Sequence, residues 1–221
     1  MSIIHHPDDA TLMGFAAGTL SEPFGIIVSA HLDLCAQCRQ ASRTLDGIGA
    51  AAMQKSAPSD LVEGALGRLM ARLDEPAGAG TKSTVPQLPK ASDGLPPTLA
   101  RVLGGGLDTI KWRHIVPGAD DRLIKFPGRT GIHTLRFLRG KPGATLPEHA
   151  HVGTELTLVL HGALRDGENI YGPGDVTDMG DEGTHNPVVH GQETCICVIA
   201  NEAPPRFRQL KFRVLQKLIG I

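Results

Sequence analysis

Aromatic side chains are nearly absent from this chain, with one Trp, one Tyr and six Phe in 221 residues. Its cores must therefore rest on Leu, Ile, Val and Ala. An excess of either charge is also missing. With 22 Lys and Arg against 23 Asp and Glu the net charge is −1, which removes any global argument for a polyanionic partner such as DNA. No apolar run approaches the ~20 residues needed to cross a bilayer. The opening residues have neither the basic nor the apolar stretch of a signal peptide. Together these absences lead to the expectation of a cytoplasmic protein that does not bind membranes. Cysteine is scarce too, at four residues. In a reducing compartment a Cys-x2-Cys pair points to metal or redox chemistry rather than to a structural disulfide.

What remains is the composition of an ordinary folded protein, 41% hydrophobic and 20% charged. The length admits one large domain or two small ones. Residues 1 to about 75 read as helical. Leu12, Phe15 and Ala16 recur at helical spacing after Pro7-Asp8-Asp9, and Gly18 closes that helix. Ser21-Glu22-Pro23 opens a second, with Ser21 as N-cap and an apolar face of Phe24, Ile27 and Val28. A third fits residues 58–75, where Val62, Leu66, Leu69, Met70 and Leu73 form one stripe weakened by Gly64 and Gly67. Residues 76–97 are broken by glycine and proline and read as a mobile linker. From residue 98 to 221, short alternating runs separated by turns predict a β-sandwich or barrel. Strands are expected at 133–138, 156–160 and 195–199, with turns at 141–143 and 171–175.

Two groups of metal-ligand residue types stand out. The first is His31, Cys35 and Cys38, a His-x3-Cys-x2-Cys run. On one continuous helix these share a face and extend the stripe of Phe24, Ile27 and Val28, so they should point inward. Three ligands leave a tetrahedral zinc one short, and either His5 or His6 could close it. The competing reading is two buried thiols without an ion. A redox Cys-x2-Cys normally opens a helix beside a βαβ unit, and neither feature is read here. The second group is His149, His151 and Glu155, with His185 thirty residues later. Strand alternation puts the first two on one face and allows Glu155, Thr157 and Val159 to share it. Such imidazole and carboxylate sets suit Zn, Fe, Mn, Ni or Cu. His114, His133 and His161 have no partner in spacing. Cys195 and Cys197 share a strand face and should line the barrel core, a redox role being the lesser alternative.

Gly143, His149, His151, Glu155 and Gly162 fall at the intervals of the first cupin motif, G-x5-H-x-H-x3,4-E-x6-G. The C-terminal half therefore resembles the cupins. The second motif is degraded: residues 171–175 supply its turn, but His185 arrives late, and His190 is the rival ligand. A helical His-x3-Cys-x2-Cys module joined by a linker to a cupin is similar to the ChrR-type zinc anti-sigma factors. That resemblance spans essentially the whole chain, including His5-His6, residues 15–22, residues 153–160 and Cys195-Ile196-Cys197.

The resemblance implies a multidomain α + β protein, a small N-terminal helical zinc bundle followed by a β-barrel or jelly-roll cupin. Its parts would be a zinc-binding anti-sigma domain at 1–75, a linker at 76–97 and a cupin domain at 98–221. It implies zinc on His6, His31, Cys35 and Cys38, and zinc or another transition metal on His149, His151, Glu155 and His185. It implies no enzyme but a regulator that sequesters an extracytoplasmic-function sigma factor. Release would follow singlet oxygen or organic hydroperoxide stress. The stripe on residues 58–75 would be the contact surface, or would pack on the module's own helices. A metal-dependent cupin enzyme of dioxygenase type is the alternative. A DNA-binding regulator is disfavoured, because the only basic cluster (Arg206, Arg208, Lys211, Arg213 and Lys217) is sparse.

Overall fold

The computed structural model describes residues 2–74, 94–126, 134–180, 183–209, 212, 213 and 216. Helix α1 (Asp9–Ala16) starts where the Asp8 carboxylate accepts the Thr11 N–H at 2.6 Å. Helix α2 (Glu22–Leu34) carries Pro23 in its first turn, and Ser21 stands at its N-cap without a side-chain capping bond. Two sequence expectations need correction at its end. His31, Cys35 and Cys38 do not lie on one helix, because Cys35 adopts an extended conformation (φ −100°, ψ 110°) and separates α2 from α3 (Ala36–Gln54). The Cys-x2-Cys pair does open a helix: Cys35 is the N-cap of α3, and its Sγ accepts the Cys38 N–H at 3.4 Å. No βαβ unit accompanies it among the described residues.

Helix α3 was not foreseen. It buries only Cys38 and Ser42 and contains Gly47 and Gly49, so it has neither a strong apolar stripe nor clean helix propensity. Helix α4 (Ala65–Asp74) is shorter than the predicted 58–75. Gly64 has φ +74°, a left-handed conformation that no right-handed helix can include, so the helix starts after it. Glu75 and residues 76–93 of the expected linker lie outside the described residues. At the linker's far end Leu95 and Pro96 are buried, and Pro97 begins α5 (Pro97–Leu103). This helix packs on α2, where the Thr98 N–H donates to Asp33 Oδ2 at 2.8 Å.

The strands follow in chain order: β1 (Arg113–Val116), β2 (Ala119–Lys125), β3 (Thr134–Gly140), β4 (His149–Ala150), β5 (Glu155–His161) and β6 (Ala163–Asp166). Then come β7 (Asn169–Tyr171), β8 (Val176–Met179), β9 (Thr184–His185), β10 (Val188–His190), β11 (Cys195–Asn201) and β12 (Arg206–Phe207). The predicted strands at 133–138, 156–160 and 195–199 fall on β3, β5 and β11, with His133 outside the described residues. One antiparallel sheet runs β1-β2-β3-β11-β5-β8. Two three-stranded sheets, β10-β6-β7 and β12-β4-β9, complete the cupin half.

Register decides which face does what. Cys197 lies opposite Val159 of β5 and Leu138 of β3, while Val198 lies opposite Leu158 and Phe137. Alternation then puts Glu155, Thr157, Val159, Cys195 and Cys197 on the barrel-facing side. The other face presents Leu135, Phe137, Leu156, Leu158, Val198 and Ala200, all fully buried. These side chains share one core cluster with Phe24, Ile27 and Val28 of α2 and Leu99 of α5, and α2 lies against β5 and β11. The α2 stripe thus packs on the outer face of the cupin sheet instead of closing a free-standing bundle. A sheet apolar on both faces would otherwise expose its outer side to water.

Candidate metal centres

The two halves of the first centre come from different elements. His31, near the end of α2, is fully buried. Cys35 and Cys38 enter from the first turn of α3, and His6 comes from the segment before α1. His6 Nδ1 lies 3.5 Å from His31 Nε2, 3.6 Å from Cys35 Sγ and 3.3 Å from Cys38 Sγ. All four ligand atoms lie within 4.8 Å of one another. A tetrahedral ion about 2.0 Å from nitrogen and about 2.3 Å from sulfur has ligand edges of roughly 3.3–3.8 Å, and the three contacts of His6 Nδ1 fall in that range. Of the two candidate histidines His6 joins the group. His5 instead lies 3.4 Å from Asp175, with its ring tilted against that of Tyr171 at 4.3 Å.

The electrostatics favour a cation there. Burial pushes the Cys38 thiol up to about 12, and the neighbouring Cys35 adds to the shift. Burial also lowers the His31 pKa, partly offset by its hydrogen bond to the Gly174 carbonyl. A buried imidazole and a Cys38 thiol that resists ionisation on its own suit an ion that supplies the missing positive charge.

In the second centre β4 pairs with β9, setting His149 directly opposite His185, and His151 follows β4 immediately. The Nε2 atoms converge: His151 to His185 at 2.7 Å and His185 to His149 at 3.0 Å. The outer nitrogens face protein groups. His149 Nδ1 donates to the Pro147 carbonyl at 2.8 Å, and His185 Nδ1 meets Asp166 Oδ2 at 2.5 Å. His151 Nδ1 lies 3.3 Å from Glu155 Oε2 but makes no hydrogen bond. An imidazole that donates from Nδ1 offers a bare Nε2, and facing lone pairs repel, so the arrangement fits a shared cation.

Glu155 stands beside this triad. Its carboxylate takes the Asn201 amide and, at 3.3 Å, the Thr157 hydroxyl. The converging ligand atoms are those of His149, His151 and His185. The rival His190 is exposed on β10, opposite Ala163 of β6, away from the group. A cleft of about 590 Å³, lined in part by Ile115, Leu146, Thr184, Phe207 and Phe212, reaches His185.

The residues set aside by spacing take ordinary places. His114 pairs with Asp120, and the exposed His161 bonds the Thr194 carbonyl. Cys195 and Cys197 are buried free thiols. In the basic cluster Arg208 lies 3.6 Å from Glu148, while Lys211 and Lys217 lie outside the described residues. Sequence reasoning missed Asp166, which carries no motif, and read Gly174 only as part of the 171–175 turn, without its bond to His31.

Acid should destabilise the metal-free protein through the second centre. Burial, reinforced by the neighbouring imidazoles, pushes both His149 and His151 down to about 4. Between about pH 6.5 and 4 the unfolded chain binds protons that the folded one refuses, so stability falls as pH falls. Burial raises Glu155 and works in the opposite sense. Each histidine alone contributes a loss on the order of 2 kcal/mol by pH 5, which Glu155 reduces, and Tm should fall with it. Thermal melts of chelator-treated protein at pH 7 and pH 5 measure it, and H149A/H151A should flatten or reverse the difference.

The profile of the ChrR cupin-like domain matches residues 104–204. The anti-sigma-E factor ChrR of Cereibacter sphaeroides is 37% identical over 221 residues, covering 100% of both chains. The crystal structure of Rhodobacter sphaeroides SigE in complex with the anti-sigma ChrR contains a chain that matches with a TM-score of 0.74 at 36% identity. The match covers 90% of this chain and 99% of that one. This chain belongs to the ChrR family of anti-sigma factors.

Proposed function

We propose that this protein is an anti-sigma factor that sequesters an extracytoplasmic-function sigma factor in the cytoplasm. Release follows oxidative stress from singlet oxygen or organic hydroperoxide. Residues 1–75 are the capturing module, 76–97 the linker and 98–221 the cupin. The observation that carries the reading is the apolar face left open on α4, together with a full-length relative named for this role. Leu66, Leu69, Met70 and Leu73 are each more than half exposed, at 65%, 54%, 52% and 70%. A stripe of that kind suits a helix-in-groove contact with another protein.

The first centre, on His6, His31, Cys35 and Cys38, takes zinc, because two thiolates and two imidazoles at tetrahedral spacing favour that ion. The second takes zinc or another transition metal on His149, His151 and His185, with Glu155 as the fourth ligand. Bound there, an ion would supply a Lewis-acidic position open to a small oxidant or ligand. No helix among the described residues is long and apolar enough to cross a membrane.

Co-expression of the full chain with a candidate extracytoplasmic-function sigma factor tests the reading. The two should co-purify in equal amounts, a promoter dependent on that sigma factor should be silent, and singlet oxygen or tert-butyl hydroperoxide should restore it. Failure to co-purify with any sigma factor sinks the proposal. The cleft leading to His185 favours a second reading, a metal-dependent cupin enzyme of dioxygenase type. Iron or manganese in the second centre with measurable turnover would select it. Firmly held zinc without turnover supports regulation.

A further inference from the structure

The cleft that reaches His185 takes its walls from two parts of the chain. Ile115 and Val116 of β1 belong to the barrel, as does Leu146, whose N–H donates to the Pro187 carbonyl at 2.9 Å. Phe207, Phe212 and Gln216 belong to the segment beyond residue 204, where the match to the ChrR cupin-like domain ends. Gln216 ties that segment back on itself, its amide donating to the Pro205 carbonyl at 2.7 Å. Phe207 lies opposite His149 across β12 and β4, with its ring 6.1 Å from that of Phe212. A smaller cavity of about 60 Å³ shares Ile115, Leu146 and Phe207 with the cleft and reaches His149 and Glu155. These apolar side chains are only half-buried, so a hollow with an apolar lining leads from the surface to the second centre. Its volume of about 590 Å³ lies within the roughly 300–1,000 Å³ of small-molecule sites.

We propose that this cleft binds an aliphatic monocarboxylate, with the carboxylate on the ion of the second centre and the chain along Ile115, Leu146, Phe207 and Phe212. The inference rests on the metal reading of that centre given above and deepens it by naming the ligand. Three imidazoles bring no charge to a divalent ion, and Glu155 balances only half of it. One carboxylate balances the rest and is an oxygen donor that such ions accept. A second negative charge on the ligand would meet Asp166 at His185 and Glu148 in the cleft wall. Thr145, Thr184, Asn186 and Gln209 add polar groups without charge. The chain is therefore held by burial, which contributes about fourfold in Kd for each methylene removed from water.

The test is calorimetric titration of the zinc-loaded full chain, its ions counted by elemental analysis, with acetate, butyrate, hexanoate and octanoate. The Kd should fall about fourfold per methylene until the cleft is filled. Octan-1-ol, the same chain without the charge, should bind far more weakly than octanoate. H149A/H151A should lose octanoate binding. Ile115→Trp, which fills the cleft from an edge strand, should weaken octanoate roughly tenfold and leave butyrate much less affected. Phe212→Ala should produce the same split and serves if the first variant melts early. Equal affinity along the series, or parent-like octanoate binding by both cleft variants, overturns the proposal. Octan-1-ol binding as tightly as octanoate, or undiminished binding to H149A/H151A, overturns the part given to the ion and the proposal with it. A protein that holds two ions and takes no octanoate overturns the ligand while the metal reading stands. A protein that holds one ion and takes no octanoate overturns both. No sigma factor enters these measurements, so sigma capture is judged separately.

Discussion

Replacing His31 or Cys35 with alanine is expected to remove one metal equivalent and to abolish sigma capture. The size of the effect follows from how little else secures the helices. Helix α1 buries only Leu12, and α3, over nineteen residues, buries only Cys38 and Ser42. Helix α2 is anchored independently on the cupin sheet through Phe24, Ile27 and Val28. The ion thus joins α3 and the His6 segment to an already fixed α2. Structural zinc sites of this kind contribute on the order of 10 kcal/mol of apparent binding free energy, more than a small module's own margin. Either variant should leave the cupin folded and lose α3 helicity by circular dichroism. Elemental analysis should find one ion instead of two, and the sigma factor should no longer co-purify. The complementary His149→Ala/His151→Ala protein should lose the other ion and still capture. Repression by a Cys35→Ala protein with an empty first centre would contradict the role given to the metal.

The cupin half was legible because its signals are local. The turns at 141–143 and 171–175 and the alternating runs of β3, β5 and β11 each depend on neighbours within a few residues. The first metal motif was legible as composition, but its geometry was not. A His-x3-Cys-x2-Cys run satisfies helical periodicity, and nothing in the spacing reveals that Cys35 breaks the helix to cap the next one. Gly64 carried its meaning in the open, yet the stripe of Val62 and Leu66 outweighed it. The deeper miss was tertiary. Leu156, Leu158 and Val198 read as half of an alternating barrel pattern, whereas both faces of those strands are buried, one of them under α2. Which surface covers an apolar face is a property of the whole chain. The Gly174–His31 bond and the Asp175 contacts to residues 4 and 5 belong to the same class.

Charged substitution on α4 should cost at least 100-fold in sigma affinity while leaving the free protein intact. Leu66, Leu69 and Leu73 recur at helical spacing on one side of α4, and each is more than half exposed. In the free protein a glutamate at these places removes little packing and suits a helix. Against a partner the situation reverses, because each leucine buried at an interface contributes about 1.5–3 kcal/mol and tenfold in Kd corresponds to about 1.4 kcal/mol. A desolvated carboxylate adds its own penalty. Leu69→Glu/Leu73→Glu should therefore keep the parent's metal content and Tm and derepress the sigma-dependent promoter. It should also weaken binding in calorimetry by two orders of magnitude or more. Two outcomes separate the alternatives left open by the sequence. A loss of stability in the free protein would mean the stripe serves the module's own core. Unchanged affinity with unchanged stability would move the sigma contact elsewhere, to α3, where Ile48 and Met53 are the remaining large apolar side chains exposed on that helix.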